Sequence, residues 1–210
     1  KFSISHRTSQ SQNKEPFQRG EKLKNIYFVT MTQYNRAFAD QGAVAAFPPE
    51  IVQTPLSMVI STAGMRQLKI TESEKERFVT FYFNGLREKP FPLEERIIIP
   101  SPKVPTYDQK PEMSAKEMTE IILKKLTLSE YQFVVINYPN ADMVGHTGNL
   151  GATVKAVETV DECIGKLANF TLAYEGLLLI TADHGNAEEL INSQTGMIDT
   201  EHSNNRVPFI

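Results

Sequence analysis

Residues 133–146 read FVVINYPNADMVGH, an almost uninterrupted apolar run that leads directly into polar and ionisable side chains. Residues 177–186, LLLITADHGN, repeat this order. Apolar runs of this length are typical of strands that are buried on both faces of a parallel sheet. In open α/β sheets, ligands bind beyond the carboxyl ends of such strands. The two stretches therefore predict a mostly parallel sheet, with a binding site formed by the residues that follow its strands.

The rest of the chain alternates between helical and extended patterns. Apolar spacing predicts helices over residues 54–63, 115–126 and 152–169, and Ser114 is a suitable N-cap for the second of them. Strands are predicted over residues 25–34, 67–70 and 78–83, and the proline-rich stretch around residues 96–100 is expected to be irregular. Strands that alternate with helices indicate an α/β fold with helices on both faces of the sheet.

Consecutive prolines at Pro48 and Pro49 indicate a boundary between domains. We expect residues 1–46 to be the tail of one α/β domain, residues 47–50 to be a proline-rich linker, and residues 51–210 to form part of a second domain. The chain starts without methionine and stops inside the apolar run at 207–210. We therefore expect a fragment of a longer polypeptide.

Composition excludes several classes of protein. Lysine and arginine number 22 against 25 aspartates and glutamates, giving a net charge of -3, so nothing favours nucleic acid or an anionic membrane as a partner. No apolar run approaches the roughly 18 residues of a membrane span, and no signal peptide opens the sequence. The single cysteine, Cys163, excludes an internal disulfide and a cysteine-based zinc site. A reducing cytoplasm is the expected compartment.

Five ionisable residues follow the two apolar runs and form candidate metal ligands: Asp142, His146, Asp183, His184 and His202. Carboxylate and imidazole ligands together suit manganese, zinc or iron. Taken singly, Asp142 could be a helix N-cap and His146 a loop histidine bonded to the backbone. Five ligands are too many for one open catalytic metal site and too few for two complete metal sites. Pairs of metal sites bind phosphoryl oxygens in other proteins. Further ligands are therefore expected from outside this sequence.

Several longer motifs resemble one enzyme family. They are YPNADMVGHTG at residues 138–148, KAVETVDEC at 155–163, TADHGNAE at 181–188 and IPSPKV at 99–104, with shorter matches at 83–85, 90–92, 107–108 and 110–114. Together they resemble the cofactor-independent (2,3-bisphosphoglycerate-independent) phosphoglycerate mutases of the alkaline phosphatase superfamily. The resemblance runs from about residue 25 to 210. It implies that the chain joins the tail of a transferase domain to the C-terminal part of an alkaline-phosphatase-like domain.

The resemblance also implies roles for particular residues. Asp142, His146 and His202 would bind one manganese ion, and Asp183 and His184 would bind a second. The family's N-terminal aspartate and serine nucleophile match no segment here.

Two further residues are implied to contact substrate. Lys75 matches a lysine that contacts phosphate, although its Glu-Lys-Glu setting alone would indicate a solvated charge. Arg7 matches the second arginine of a substrate-binding pattern, N-F-R-x-D-R, in which Ile4 replaces the first.

The implied activity is the interconversion of 3-phosphoglycerate and 2-phosphoglycerate in glycolysis, through a phosphoserine whose serine lies outside this chain. Two manganese ions would be the cofactors, with magnesium, zinc or cobalt as substitutes and without 2,3-bisphosphoglycerate. The intact protein would be a cytoplasmic monomer acting on a small molecule, and this segment alone would be inactive. The alternatives are a non-catalytic metal-binding fragment and another phosphomutase or phosphatase of the superfamily.

Overall fold

The computed structural model describes residues 21, 25–128, 131–192 and 195–210. Arg7 and Ile4 lie outside the described residues. The chain divides into two compact units, Lys1–Ile51 and Val52–Ile210. The division follows the stretch at 47–50 that was expected to be a linker, while the assignment of the units to transferase and phosphatase domains stays a prediction.

The first unit contains a short pair of parallel strands. Strand β1 (Val29–Thr32) pairs with β2 (Val44–Phe47), and helix α1 (Arg36–Asp40) lies between them in the chain. The Asn35 side chain caps α1 by accepting a hydrogen bond from Ala37 N at 2.9 Å. Phe47, expected in the linker, is instead the last residue of β2 and pairs with Thr32. The strand ends there because the following proline has no N–H to donate.

The second unit is built around a three-stranded sheet. Its strands are β3 (Gln67–Glu72), β4 (Glu94–Ile99) and β5 (Phe133–Asn137), and its helices are α2 (Leu56–Thr62), α3 (Ala115–Thr127), α4 (Asn140–Gly145) and α5 (Leu150–Ala173). The strand order is β4-β3-β5, and both pairings are parallel. The predicted parallel α/β arrangement is confirmed. No helix in the described part of the chain has the length and apolar character needed to span a bilayer.

Strand β3 is the centre of this unit and is buried along its whole length. On one face, Ile70 belongs to a core that includes Met118 of α3 and Leu167 of α5. On the other face, the Lys69 ammonium donates to Ser57 Oγ of α2 at 2.7 Å. Both faces of the strand are therefore covered, and the buried lysine is compensated by polar partners.

The apolar strand β5 is less buried than expected. All five of its residues are half-buried, because the strand lies at the edge of the sheet and pairs only with β3 among the described strands. The strand that is buried on both faces is β3, whose sequence QLKITE alternates polar with apolar residues. Position in the sheet decides burial here, more than the hydrophobicity of the strand.

Two predictions about local structure are wrong. Residues 78–83 do not form a strand, since Phe78–Tyr82 is a π-helix. The Thr80 hydroxyl donates to the Glu76 carbonyl at 2.7 Å, and the Phe78 and Tyr82 rings pack with their centroids 5.7 Å apart. The aromatic, β-branched composition favours a strand, but the wide helical turn satisfies the backbone locally. Conversely, the proline-rich region contains strand β4, which ends directly before Pro100.

Residues 177–181 are also not the buried strand that was predicted. Leu177 and Leu179 are 84% and 61% exposed. The segment makes a narrow antiparallel pairing, in which Thr181 bridges Phe209 and Ile180 exchanges two backbone hydrogen bonds with Ile210. An apolar strand is buried only where other strands flank it and helices cover it. Among the described residues, this segment pairs only with residues 209–210.

Helices α3 and α5 begin close to where the sequence predicts, but with different caps. Ser114 precedes α3, yet its hydroxyl donates to the Pro100 carbonyl at 3.1 Å and makes no cap hydrogen bond. Asn149 does cap α5, accepting from Ala152 N at 3.1 Å. This cap starts α5 two residues before the predicted range of 152–169, and the helix continues to Ala173.

Candidate metal centre

Helix α4 places the first two candidate ligands on one side of a helical turn. Its N-cap is Pro139, so Asp142 lies inside the first turn and is not the cap. Asp142 and His146 are four residues apart, which brings their side chains together on an α-helix. His146 Nε2 lies 3.1 Å from Asp142 Oδ1.

His202, which is distant in sequence, completes a triangle of donor atoms with these two residues. His202 Nε2 is 3.3 Å from Asp142 Oδ1 and 3.2 Å from His146 Nε2. Donor atoms that bind one first-row metal at about 2.1 Å stand about 3.0 to 3.4 Å apart. The three atoms therefore have the spacing that a single divalent ion requires.

Two of the imidazole rings, those of His146 and His184, are held in the tautomer that suits a metal ligand. His146 Nδ1 donates to the Thr200 carbonyl at 2.6 Å, and His184 Nδ1 donates to the Gly185 carbonyl at 3.2 Å. A carbonyl oxygen only accepts, so in each neutral ring Nδ1 carries the proton and Nε2 keeps its lone pair. Such outer hydrogen bonds orient histidine ligands in metalloproteins.

His184 lies against the same group, whereas Asp183 lies at its margin. The His184 and His202 rings stack with centroids 3.7 Å apart and planes 19° apart. Ligand atoms of Asp142, His184 and His202 all lie within 4.8 Å of one another. Asp183 Oδ2 is 3.6 Å from His184 Nε2, and the Asp183 side chain is exposed. The structure thus brings four of the five candidates together, with the fifth beside His184.

Lys75 contacts Asp142 Oδ2, the carboxylate oxygen that does not face the histidines. It ends a 3₁₀ turn, Ser73–Lys75, that directly follows β3. Its ammonium lies 2.5 Å from Asp142 Oδ2 and 4.6 Å from the centre of the Phe78 ring. The Lys75 side chain is only 11% exposed, so its interpretation as a solvated charge is wrong.

Asn186 is a site residue that was not among the candidates predicted from the sequence. Its side-chain Nδ2 donates to Asp142 Oδ1 at 2.8 Å, and the residue is buried. A Cβ on Gly145 would lie 2.4 Å from Asn186 Oδ1, so only glycine at 145 leaves room for this amide. The feature of the sequence that could have indicated the role of Asn186 was therefore Gly145, which lies between the proposed ligands Asp142 and His146.

The surroundings of Asp142 keep its carboxylate ionised. Burial alone would raise the pKa of Asp142, but hydrogen bonds from Lys75 and Asn186, together with the Lys75 charge, lower that pKa below its ordinary value. An ionised carboxylate that shares a pocket with lone pairs of imidazole rings is a donor set for a divalent cation.

Removing the side-chain amide of Asn186 should weaken metal binding by these donors without removing a ligand. We expect Asn186→Ala to lower Co²⁺ affinity about 10-fold to 100-fold, the usual effect of losing an outer-shell partner. Calorimetric titration with Co²⁺ measures the change, and Asn169→Ala, at an exposed position of α5, is the matched control. Equal affinities for the two variants would contradict the role of Asn186.

Comparisons with known proteins show which sequences the chain resembles. The chain is 51% identical over 192 residues to the 2,3-bisphosphoglycerate-independent phosphoglycerate mutase of Chloroflexus aggregans, covering 91% of this chain and 35% of that protein. It is 50% identical over 196 residues to the enzyme of the same name from Moorella thermoacetica, covering 93% and 37%. The resemblance inferred from the motifs is confirmed, and the chain spans little more than a third of these curated relatives.

A solved structure and a family match extend the comparison. Leishmania mexicana phosphoglycerate mutase, determined at low cobalt concentration, has a TM-score of 0.78 and 28% identity, covering 93% of this chain and 38% of that one. The expected fold class is confirmed by this likeness. Residues 22–210, nearly the whole chain, match the metalloenzyme superfamily. This match over most of its length shows that the chain belongs to the metalloenzyme superfamily.

Proposed function

We propose that this chain supplies the metal-binding part of a 2,3-bisphosphoglycerate-independent phosphoglycerate mutase. The relatives that carry this name share about half of their residues with the chain along the matched third of their length. The observation that carries the proposal is the donor triangle of Asp142, His146 and His202, with edges of 3.1 to 3.3 Å.

The donors divide into two proposed sets. Asp142, His146 and His202 hold one divalent ion, and His184 with Asp183 contributes to a second, whose remaining ligands lie outside this chain. The spacing of the first set and the tautomer of His146 fit a metal of the manganese or cobalt type. Manganese is the proposed metal, with magnesium, zinc or cobalt as substitutes, and 2,3-bisphosphoglycerate is not required.

In a complete centre, divalent metals lower the pKa of a hydroxyl nucleophile and neutralise charge on a transferring phosphoryl group. The chain's own contribution is positional. Asp142 is held ionised, His146 presents Nε2, and Lys75 offers an ammonium beside the ligands that binds a phosphoryl oxygen of the substrate.

The proposed reaction is the interconversion of 3-phosphoglycerate and 2-phosphoglycerate through a phosphoserine formed outside this chain. Arg7 is proposed to contact substrate. The whole protein is proposed to be a cytoplasmic monomer with a small-molecule substrate.

A chimera tests this function directly. Residues 25–210 would replace the matching segment of the Chloroflexus aggregans relative, and conversion of 3-phosphoglycerate would be followed in an enolase-coupled assay with manganese. We expect turnover in the ordinary enzymatic range, about 1 to 10³ s⁻¹, and none from the 210-residue chain alone.

Two outcomes would contradict the proposal. A folded chimera that binds Co²⁺ without converting 3-phosphoglycerate would favour a non-catalytic metal-binding protein. A chimera that hydrolyses simple phosphate esters faster than it isomerises phosphoglycerate would favour a phosphatase of the same superfamily.

A further inference from the structure

Two loops carry His184 and His202, and they are joined one residue beyond each histidine. Gly185 and Ser203 form an antiparallel bridge, in which Ser203 N donates to the Gly185 carbonyl at 2.9 Å. In an antiparallel pairing, the residues that precede the bridged pair lie diagonally across it on the same face, within reach of each other's rings. The His184 and His202 rings stack across this diagonal. The relative position of two proposed ligands thus depends on how this bridge is held.

The Glu188 carboxylate binds both loops at the bridge. Its Oε2 accepts from Asn186 N at 2.9 Å, within the loop that carries His184. Its Oε1 accepts from the Ser203 hydroxyl and, at 3.2 Å, from Asn205 Nδ2, both in the loop that carries His202. One side chain therefore receives three hydrogen bonds from two loops, and an ionised carboxylate makes such bonds stronger than a neutral acceptor does.

Gly185 has no side chain, and this leaves room for the Glu188 carboxylate. A Cβ at position 185 would lie 2.2 Å from Glu188 Oε1 and 2.2 Å from Ser203 Oγ. Any side chain at 185 would therefore push the carboxylate and the hydroxyl away from the bridge. Glu189, the next residue, provides a contrast: its Oε2 accepts from Asn205 Nδ2 at 3.0 Å, and its contact with Asn186 is made by the backbone, since Glu189 N donates to the Asn186 carbonyl at 3.0 Å.

The Glu188 carboxyl group is ionised across the physiological pH range. Burial would raise the pKa of Glu188, but the hydrogen bonds from Ser203, from the backbone at 186 and 188 and from Asn205 lower that pKa to about 2. The carboxylate is thus available as an acceptor for both loops.

We propose that Glu188 is a positioning residue that fixes His184 against His202 and so sets the spacing between the two proposed sets of metal ligands. The effect on metal rests on the proposed function, whereas the effect on the histidine rings does not. Glu188 acts through Ser203 and the backbone at Asn186 and is not itself proposed as a ligand.

The test combines a spectroscopic measurement on the metal-free protein with a metal titration. The chain has four histidines, so NMR with labelled histidine resolves the ring protons individually. Stacked rings shift each other's protons upfield. We expect Glu188→Ala to remove this shift for His184 and His202, and to lower Co²⁺ affinity at least about 10-fold. Gly185→Ala should reproduce both effects.

Glu189→Gln is the matched control and should change neither measurement. If Glu188→Ala fails to fold, Glu188→Gln keeps the side-chain size and should give smaller changes of the same sign. Unchanged ring shifts in folded Glu188→Ala and Gly185→Ala would overturn the proposal, whatever the metal affinity. Ring shifts lost in a chain that never binds Co²⁺ would support the positioning of the histidines and contradict the proposed metal centre instead.

Discussion

Asp142→Asn is expected to lower the affinity of the chain for Co²⁺ by at least about 100-fold, more than loss of an outer-shell partner costs. Asp142 Oδ1 is the corner of the donor triangle that faces both His146 Nε2 and His202 Nε2. Asparagine keeps the shape of the side chain but removes its negative charge. The divalent ion then loses the one carboxylate among the three donors.

The matched control for this change is Asp161→Asn, at an exposed position of α5. It removes the same charge from the chain, and we expect its Co²⁺ affinity to equal that of the parent. Thermal unfolding without metal should be measured as well, because Asp142→Asn also breaks the ion pair with Lys75. Equal affinities for Asp142→Asn and Asp161→Asn would show that Asp142 is not a ligand.

Lys75→Ala is expected to lower turnover of the chimera by about 10²-fold to 10³-fold, the usual effect of removing one donor that stabilises charge in a transition state. The nearly buried ammonium lies beside the donor triangle, bonded to the Asp142 oxygen that faces away from the histidines. Its loss should not weaken metal binding. Removing a positive charge next to the carboxylate should leave Co²⁺ affinity equal or tighter, because like charges repel.

Lys155→Ala, at an exposed position of α5, is the control and should leave both turnover and Co²⁺ affinity unchanged. Turnover has to be measured at saturating metal, so that an effect on chemistry is separated from an effect on occupancy. Parental turnover in Lys75→Ala, accompanied by a lower unfolding temperature, would assign Lys75 a structural role only.

The ligands at short sequence separation were predictable, because local geometry determines them. Asp142 and His146 meet once the turn after β5 is helical, and the sequence already shows the four-residue spacing. The parallel sheet was predictable in part, because the apolar run at 133–137 is strand β5, whereas the run at 177–181 makes only a narrow antiparallel pairing. His202 was a candidate only as a histidine in the polar stretch after the second apolar run. Its approach to α4 depends on contact with His146, which is 56 residues away in sequence.

Other features depend on packing that no short window of sequence displays. Residues 78–83 have the composition of a strand, but Phe78–Tyr82 is a π-helix, and the central strand of the sheet is the more polar β3. Lys75 looks solvated within its charged run, but the turn after β3 directs it against Asp142. Asn186 was missed because its role depends on the space that Gly145 leaves beside it.

The central claim is that Asp142, His146 and His202 bind one divalent ion. Anomalous X-ray scattering at the cobalt edge, from crystals of the chain grown with Co²⁺, tests this claim most directly. We predict an anomalous peak bonded to Asp142 Oδ1, His146 Nε2 and His202 Nε2 together. A cobalt-saturated crystal with no peak at these three atoms, or with its peak elsewhere on the chain, would contradict the account.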